Sequence, residues 1–344
     1  MKIHLCQRIG FWLVLGLLTL SCGITPTATP DPNVPVNMGN ACEYDNRVEE
    51  LEGQLVLPNN VNCSSEEPVT CEIYFSDPLS DHGFNVEIPA FTGTGEIPIN
   101  TMAGLPDPFD SSDFYIRTMD GRFAGDGDLV SIRGTIQAYA NTCRLTQIES
   151  ISRIDRLVYP GLDLTHATLQ EALTEGLVVA TISGNGLSQV TLKIKPKVEL
   201  NLEIEILPGT IFLSGTEGVQ NMVVRQHQMV YIKPEVEVGI ELEAACINME
   251  LKQPTYSDVF TISTEPVDED LARLLALEDF RFQSTKLQQF AVWTITENPQ
   301  KLYYFASIES GGYSEGLMES DVDILRALFE EADIDTSKYW IFTE

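Results

Sequence analysis

The chain has 344 residues, 43% of them hydrophobic, enough to fill the cores of two ordinary domains. Its 21 Lys and Arg stand against 51 Asp and Glu, a formal charge of −30. That balance argues against nucleic-acid binding, which needs cationic surface to displace phosphate counterions, and against adhesion to anionic lipid headgroups; it favours solubility and basic, lysine-bearing or cation-rich partners. The first predicted element is a leader. Lys2 and Arg8 make a positive head, and residues 9–20 are an apolar run that includes Trp12, Leu13, Val14 and Leu15. The run is shorter than the ~20 residues a transmembrane helix needs. The small Ser21 follows it, which is the layout of a secretory signal peptide. No later run is apolar enough to span a bilayer.

Leu18-Thr19-Leu20-Ser21-Cys22 resembles a bacterial lipobox, with Thr19 where that motif usually carries leucine. The resemblance implies that residues 1–21 are removed, that Cys22 is lipidated, and that the protein sits outside the cytoplasm, touching a membrane only through its lipid. A plain signal peptide would export the chain equally well. Residues 22–40 are then a linker, since Thr25-Pro26-Thr27-Ala28-Thr29-Pro30 favours extended, poorly packed backbone. Export makes disulfides available. Cys6 leaves with the leader, and Cys42, Cys63, Cys71 and Cys143 cluster in the N-terminal half, where they can form two bridges in three possible ways. Cys246 is left over in the second half.

Residues 41–157 read as strands. Gly53-Gln54-Leu55-Val56-Leu57, Cys71-Glu72-Ile73-Tyr74-Phe75 and Phe114-Tyr115-Ile116-Arg117 are separated by polar turns. A longer strand follows, with Val130, Ile132 and Ile136 on one face, and then a last one over 143–151. The run from Asp128 through Ile136, then Cys143-Arg144-Leu145, Ile148 and Ile151, resembles an OB-fold, a five-stranded barrel. OB-folds often take oligonucleotides on basic, aromatic faces. This segment is acidic, so a spacer or protein-contact barrel is expected.

Residues 158–344 are predicted to form an α+β domain, a β-sandwich-like sheet with helices added, so the class is mainly β with added helices. Leu169-Gln170-Glu171-Ala172-Leu173 is a short helix ending near Gly176. Leu200, Leu202, Ile204 and Ile206 alternate with Glu199, Asn201, Glu203 and Glu205, a half-buried strand with a solvated acidic face. Residues 210–213 continue the sheet, and a further strand sets Val236, Val238, Ile240, Leu242, Ala244 and Cys246 on one side. Helices are expected over 268–277, from a Ser284 cap to about Thr296, and from Ser320, where Asp323 stands three places on.

Gln289-Phe290-Ala291-Val292-Trp293 matches the Gln-x-Ala-x-Trp motif of the thioester domains of bacterial surface adhesins, and Ala244-Ala245-Cys246-Ile247-Asn248 is similar to their cysteine neighbourhood, with Ala245 where an aromatic is common. The resemblance implies a Cys246–Gln289 internal thioester supported by Ala291 and Trp293. It also implies one covalent acyl transfer to an amine on a protein or surface ligand, a single turnover and not an enzyme cycle. Such a bond forms when a thiolate attacks the glutamine carbonyl and expels ammonia. The alternative is a non-covalent envelope scaffold or binding lipoprotein with a non-reactive domain of the same kind. His82, His166 and His227 match no metal-ligand spacing, and no cofactor motif is present.

Overall fold

The computed structural model describes residues 34–343 apart from 81, 107–108, 110–112, 140–141, 160 and 301–316. The leader, Cys22 and most of the Thr/Pro linker lie outside the described residues.

In the N-terminal half, hydrophobic side chains recur every second residue, and each such run is a strand. The strands are β1 (Val48–Val56), β2 (Asn62–Cys63), β3 (Thr70–Ser76), β4 (Gly83–Phe91), β5 (Thr101–Ala103), β6 (Tyr115–Arg117), β7 (Phe123–Gly125), β8 (Leu129–Tyr139) and β9 (Thr142–Arg153). β1 pairs antiparallel with β3 and β8, β3 with β4, and β8 with β9. A parallel pairing of β4 with β9, Asn85 opposite Arg144 and Val86 opposite Leu145, closes the ring. That is the strand order of an OB-fold. β4, its third barrel strand, has no counterpart among the predicted elements. β5, β6 and β7 form a small insertion between the third and fourth barrel strands. The core takes Leu51 and Leu55 from β1, Ile73 and Phe75 from β3, Val86 and Ile88 from β4, and Val130, Ile132 and Ile136 from β8. Gly53 is required by close approach, because a Cβ there would come 2.7 Å from the Ser76 carbonyl oxygen.

Two disulfides staple this barrel. Cys42–Cys143 ties a 3-10 turn, Ala41–Glu43, to β9 across 101 residues of chain. Cys63–Cys71 joins β2 to β3 at directly opposed positions. Cys246 is buried and free.

The second half contributes β10 (Leu164–Thr168), α1 (Leu169–Thr174), β11 (Val178–Asn185), β12 (Gln189–Pro196), β13 (Asn201–Ile206), β14 (Ile211–Ser214), β15 (Met222–Val224), β16 (Gln228–Ile232), β17 (Val238–Cys246) and β18 (Val259–Ile262). The helices α2 (Glu269–Leu275), α3 (Glu278–Arg281), α4 (Thr285–Thr296) and α5 (Glu319–Glu331) follow. The sheet expected as a layer of a sandwich takes the form of a closed antiparallel barrel in the order β11-β12-β17-β15-β14-β18. A separate three-stranded sheet, β10-β13-β16, lies beside it. Among the described residues no helix is long and apolar enough to cross a membrane.

Helix starts are set by side-chain caps. Thr168 and Glu171 form a capping box on α1, Asp268 accepts from Asp270 and Leu271 N–H on α2, and Ser284 Oγ accepts from Leu287 N–H on α4. The last helix departs from expectation. It opens at Glu319, and the residue that reaches back is Asp321, which accepts from Met318 N–H at 2.9 Å. Lys286 of α4 donates to the same carboxylate at 2.9 Å and so holds Asp321, not the exposed Asp323, at the helix start.

The acidic face expected on β13 is a second correction. Glu203 is 1% exposed. Leu202, Ile204 and Ile206 fill the main core, while the other face of the three-stranded sheet is covered by Leu79, Leu129 and Leu157 packed on Met229 and Tyr231. Glu203 is compensated there by Arg156 at 3.2 Å and His166 Nδ1 at 3.2 Å.

Candidate functional site

α4 carries the glutamine motif, and its surroundings bury it on every side. Leu287 through Thr294 are all buried, between the β17 end of the barrel and helices α2 and α5. The two adjacent glutamines point about 100° apart around the helix and do different work. Gln288 Nε2 donates to the carbonyls of Phe280, Arg281 and Gln283, closing the turn after α3. Gln289 faces β17.

The site exists because β17 outruns its neighbour. On the β12 side, Ala244 N–H donates to Ser188 O, just before β12 begins. Backbone groups alternate between the two edges of a strand, so the N–H and C=O of Cys246 face that same edge, where no strand of the described residues lies opposite. The amide of Gln289 takes both. Cys246 N–H donates to Gln289 Oε1 at 3.0 Å, and Gln289 Nε2 donates to Cys246 O at 2.7 Å, across 43 residues of chain. A side-chain amide here imitates the missing strand.

On the other edge, Cys246 is opposed by Met222 of β15. The bond from Ile247 N–H to Asn221 O makes this a narrow pair, the kind in which side chains approach closely. Cys246 Sγ donates to Met222 Sδ at 3.2 Å. The thiol is fully buried, and burial pushes its pKa well above the ordinary range of a cysteine.

Ala291 and Trp293 are both buried, and the Trp293 ring stands edge-on to Phe290 with centroids 5.5 Å apart. Trp293 Nε1–H has no hydrogen-bond partner among the described residues. The structure thus brings Cys246, Gln289, Ala291 and Trp293 into one buried neighbourhood and keeps the four cysteines of the first barrel, which are bonded in pairs, apart from it. Met222 is the contact that sequence reasoning passed over. Only the β15–β17 register shows that it meets the thiol.

No family model and no curated protein matches this chain. The site is therefore read from its own chemistry. It offers a thiol, a primary carboxamide and a backbone N–H aimed at the amide oxygen. Among the described residues no group of three or more His, Cys, Asp or Glu could hold a metal ion. The histidines, scattered in the chain, do meet carboxylates in space: His166 lies between Glu203 and Glu205, and His227 Nε2 is 2.8 Å from Glu205. That arrangement comes from the register of β10 on β13, with His166 opposite Glu203.

Proposed function

We propose that the protein is an exported lipoprotein, anchored outside the cytoplasm through Cys22, which holds a surface or host partner by one covalent acyl transfer from Gln289. The observation that carries the reading is the direct pairing of Gln289 with Cys246, two residues remote in sequence, at a cysteine that no disulfide consumes. The thiolate of Cys246 attacks Cδ of Gln289, the C–N bond breaks, and ammonia leaves with the thiol's proton. Cys246 N–H, already on Oε1 at 3.0 Å, would stabilise the charge that builds on that oxygen. An amine of the partner then attacks the thioester carbonyl, an amide forms, and the thiol is regenerated. Burial of the pair keeps water from the activated acyl group before the partner arrives.

A second reading has its own observation. The Gln289 amide lies along the strand edge, whereas a strand side chain projects out of the plane of its sheet, and Cys246 Sγ meets Met222. Gln289 is then a structural clip, and the protein binds its partner without a covalent bond. Intact mass separates the two readings. A thioester lowers the mass by one ammonia beyond the loss expected from the disulfides; methylamine restores mass at Gln289 and exposes a thiol at Cys246. A full mass with no methylamine uptake would leave only the clip. The anchor is tested separately, since Cys22→Ala should abolish palmitate labelling and membrane partition. Persistent labelling would refute the anchor.

A further inference from the structure

Away from Cys246, a cleft of about 290 Å³ runs along the seam between the two barrels. One wall is β1 with the turn before β8, and the other is the loop before β16 with β17 and the end of α3. Sites between packed units are common places for small ligands, and this volume is at the lower end for such sites. Its lining includes four glutamines, from β1, β12 and the loop and strand at β16.

Three of these glutamines are tied at one end and open at the other. Gln54 Nε2 donates to Gly127 O at 2.9 Å, which leaves Oε1. Gln226 Oε1 accepts from Arg281 Nε at 3.1 Å, which leaves both amide protons. Gln228 Nε2 donates to Met229 O at 3.1 Å, which leaves Oε1. None of the open ends has a partner among the described residues, and none is sealed from solvent. Amides fixed in this way present oriented donors and acceptors before a ligand arrives, so little ordering cost remains at binding.

The cations of the cleft are spoken for, whereas Glu241 on its wall has no cationic partner among the described residues and accepts from Asn185 Nδ2 at 3.3 Å. Arg281 is held by Asp128 at 2.7 Å, and Glu243 by Arg225, so no cation is spare for an anionic ligand. Asp126 accepts from Leu57 N–H at 2.7 Å through one oxygen, and burial pushes its pKa up toward the neutral form, which weakens the pull on a cationic ligand. Phe282 adds an aromatic surface at the cleft wall.

We propose that this cleft binds a neutral saccharide, its hydroxyls read by the open ends of Gln54, Gln226 and Gln228 and its ring carbons packed on Phe282. Planar amides that donate and accept in fixed directions match the paired hydroxyls of a sugar, the Glu241 carboxylate can accept from another hydroxyl, and the absence of a spare cation among the described residues selects against phosphorylated ligands. Isothermal titration of the full exported chain with glucose, galactose, N-acetylglucosamine, maltose and cellobiose should give millimolar or tighter binding to at least one of them. Gln54→Leu and Gln228→Leu should each weaken that binding by roughly five- to tenfold, the loss of one hydrogen bond. Gln170→Leu, on the exposed surface of α1, should leave it unchanged. Cys246→Ala should also bind as the wild type does, so failure of the thioester reading leaves this one standing. Absence of heat with every sugar would overturn it, as would a heat with calcium or lysine alone that the Gln54 and Gln228 variants remove.

Discussion

Replacing Gln289 with alanine should cost far more stability than replacing Cys246, although the two residues form one contact. Gln289→Ala strips the partner from two buried backbone groups, the N–H and the C=O of Cys246. A buried polar group left unpaired costs about 1–3 kcal/mol, and the vacated side-chain space adds about 1 kcal/mol more. The total is about 3–7 kcal/mol, a large share of the 5–15 kcal/mol roughly typical of a folded protein. Cys246→Ala removes one buried sulfur and leaves both hydrogen bonds, so about 1–2 kcal/mol is expected. Gln289→Glu adds a direction. Its carboxylate still accepts from Cys246 N–H, but it cannot donate to Cys246 O and it buries a charge. Burial raises that carboxyl's pKa, so the penalty is full above the raised value and shrinks as acid protonates the group. Urea unfolding followed by tryptophan fluorescence and far-ultraviolet circular dichroism measures all three, with the denaturant slope as the check that only stability changed. A Gln289→Ala midpoint equal to that of Cys246→Ala would show that the amide does not hold the strand edge.

If the thioester forms, its rate in freshly refolded protein should rise roughly tenfold per pH unit between about pH 7 and 9, because burial keeps the thiol protonated and only the thiolate attacks; a rate flat in pH, read by intact mass, would rule out thiolate attack as the slow step. Cys42→Ser with Cys143→Ser opens a loop spanning 101 residues and should cost about 3–5 kcal/mol, measured by the same urea titration, whereas an unchanged midpoint would mean the bridge does not constrain the unfolded chain. The carboxyl of Asp270 is desolvated by burial, yet hydrogen bonds from Tyr339, Lys338 and Arg273 outweigh that and hold its pKa below 3.8. A carboxyl lowered by folding contributes stability above its unfolded pKa and loses it as pH falls through the folded one. Asp270→Asn should therefore destabilise the protein at neutral pH and match the wild type in strong acid, and a gap independent of pH would contradict this.

The period-two runs in β1, β3 and β8 were legible in the chain because alternation is a local property of a strand, and so were the start of α4 at Ser284 and the separation of Cys246 from the other cysteines. β4, β11 and β12 were not among the predicted elements. β4 and β12 do alternate, with Phe84, Val86 and Ile88 and with Val190, Leu192 and Ile194 buried, but alternation names no partner, and closure of each barrel is what shows where these strands pair. A local pattern also predicted a solvated face for β13, and the structure buried Glu203, since what covers a strand's second face depends on a neighbour far away in the chain. The Gln289 motif could be found by inspection, and its partner could be named by resemblance. That Gln289 holds the backbone of Cys246, and that the thiol faces Met222, depended on how far β17 runs past the start of β12. Strand lengths and register are set by packing across the whole barrel, and no window of sequence contains them.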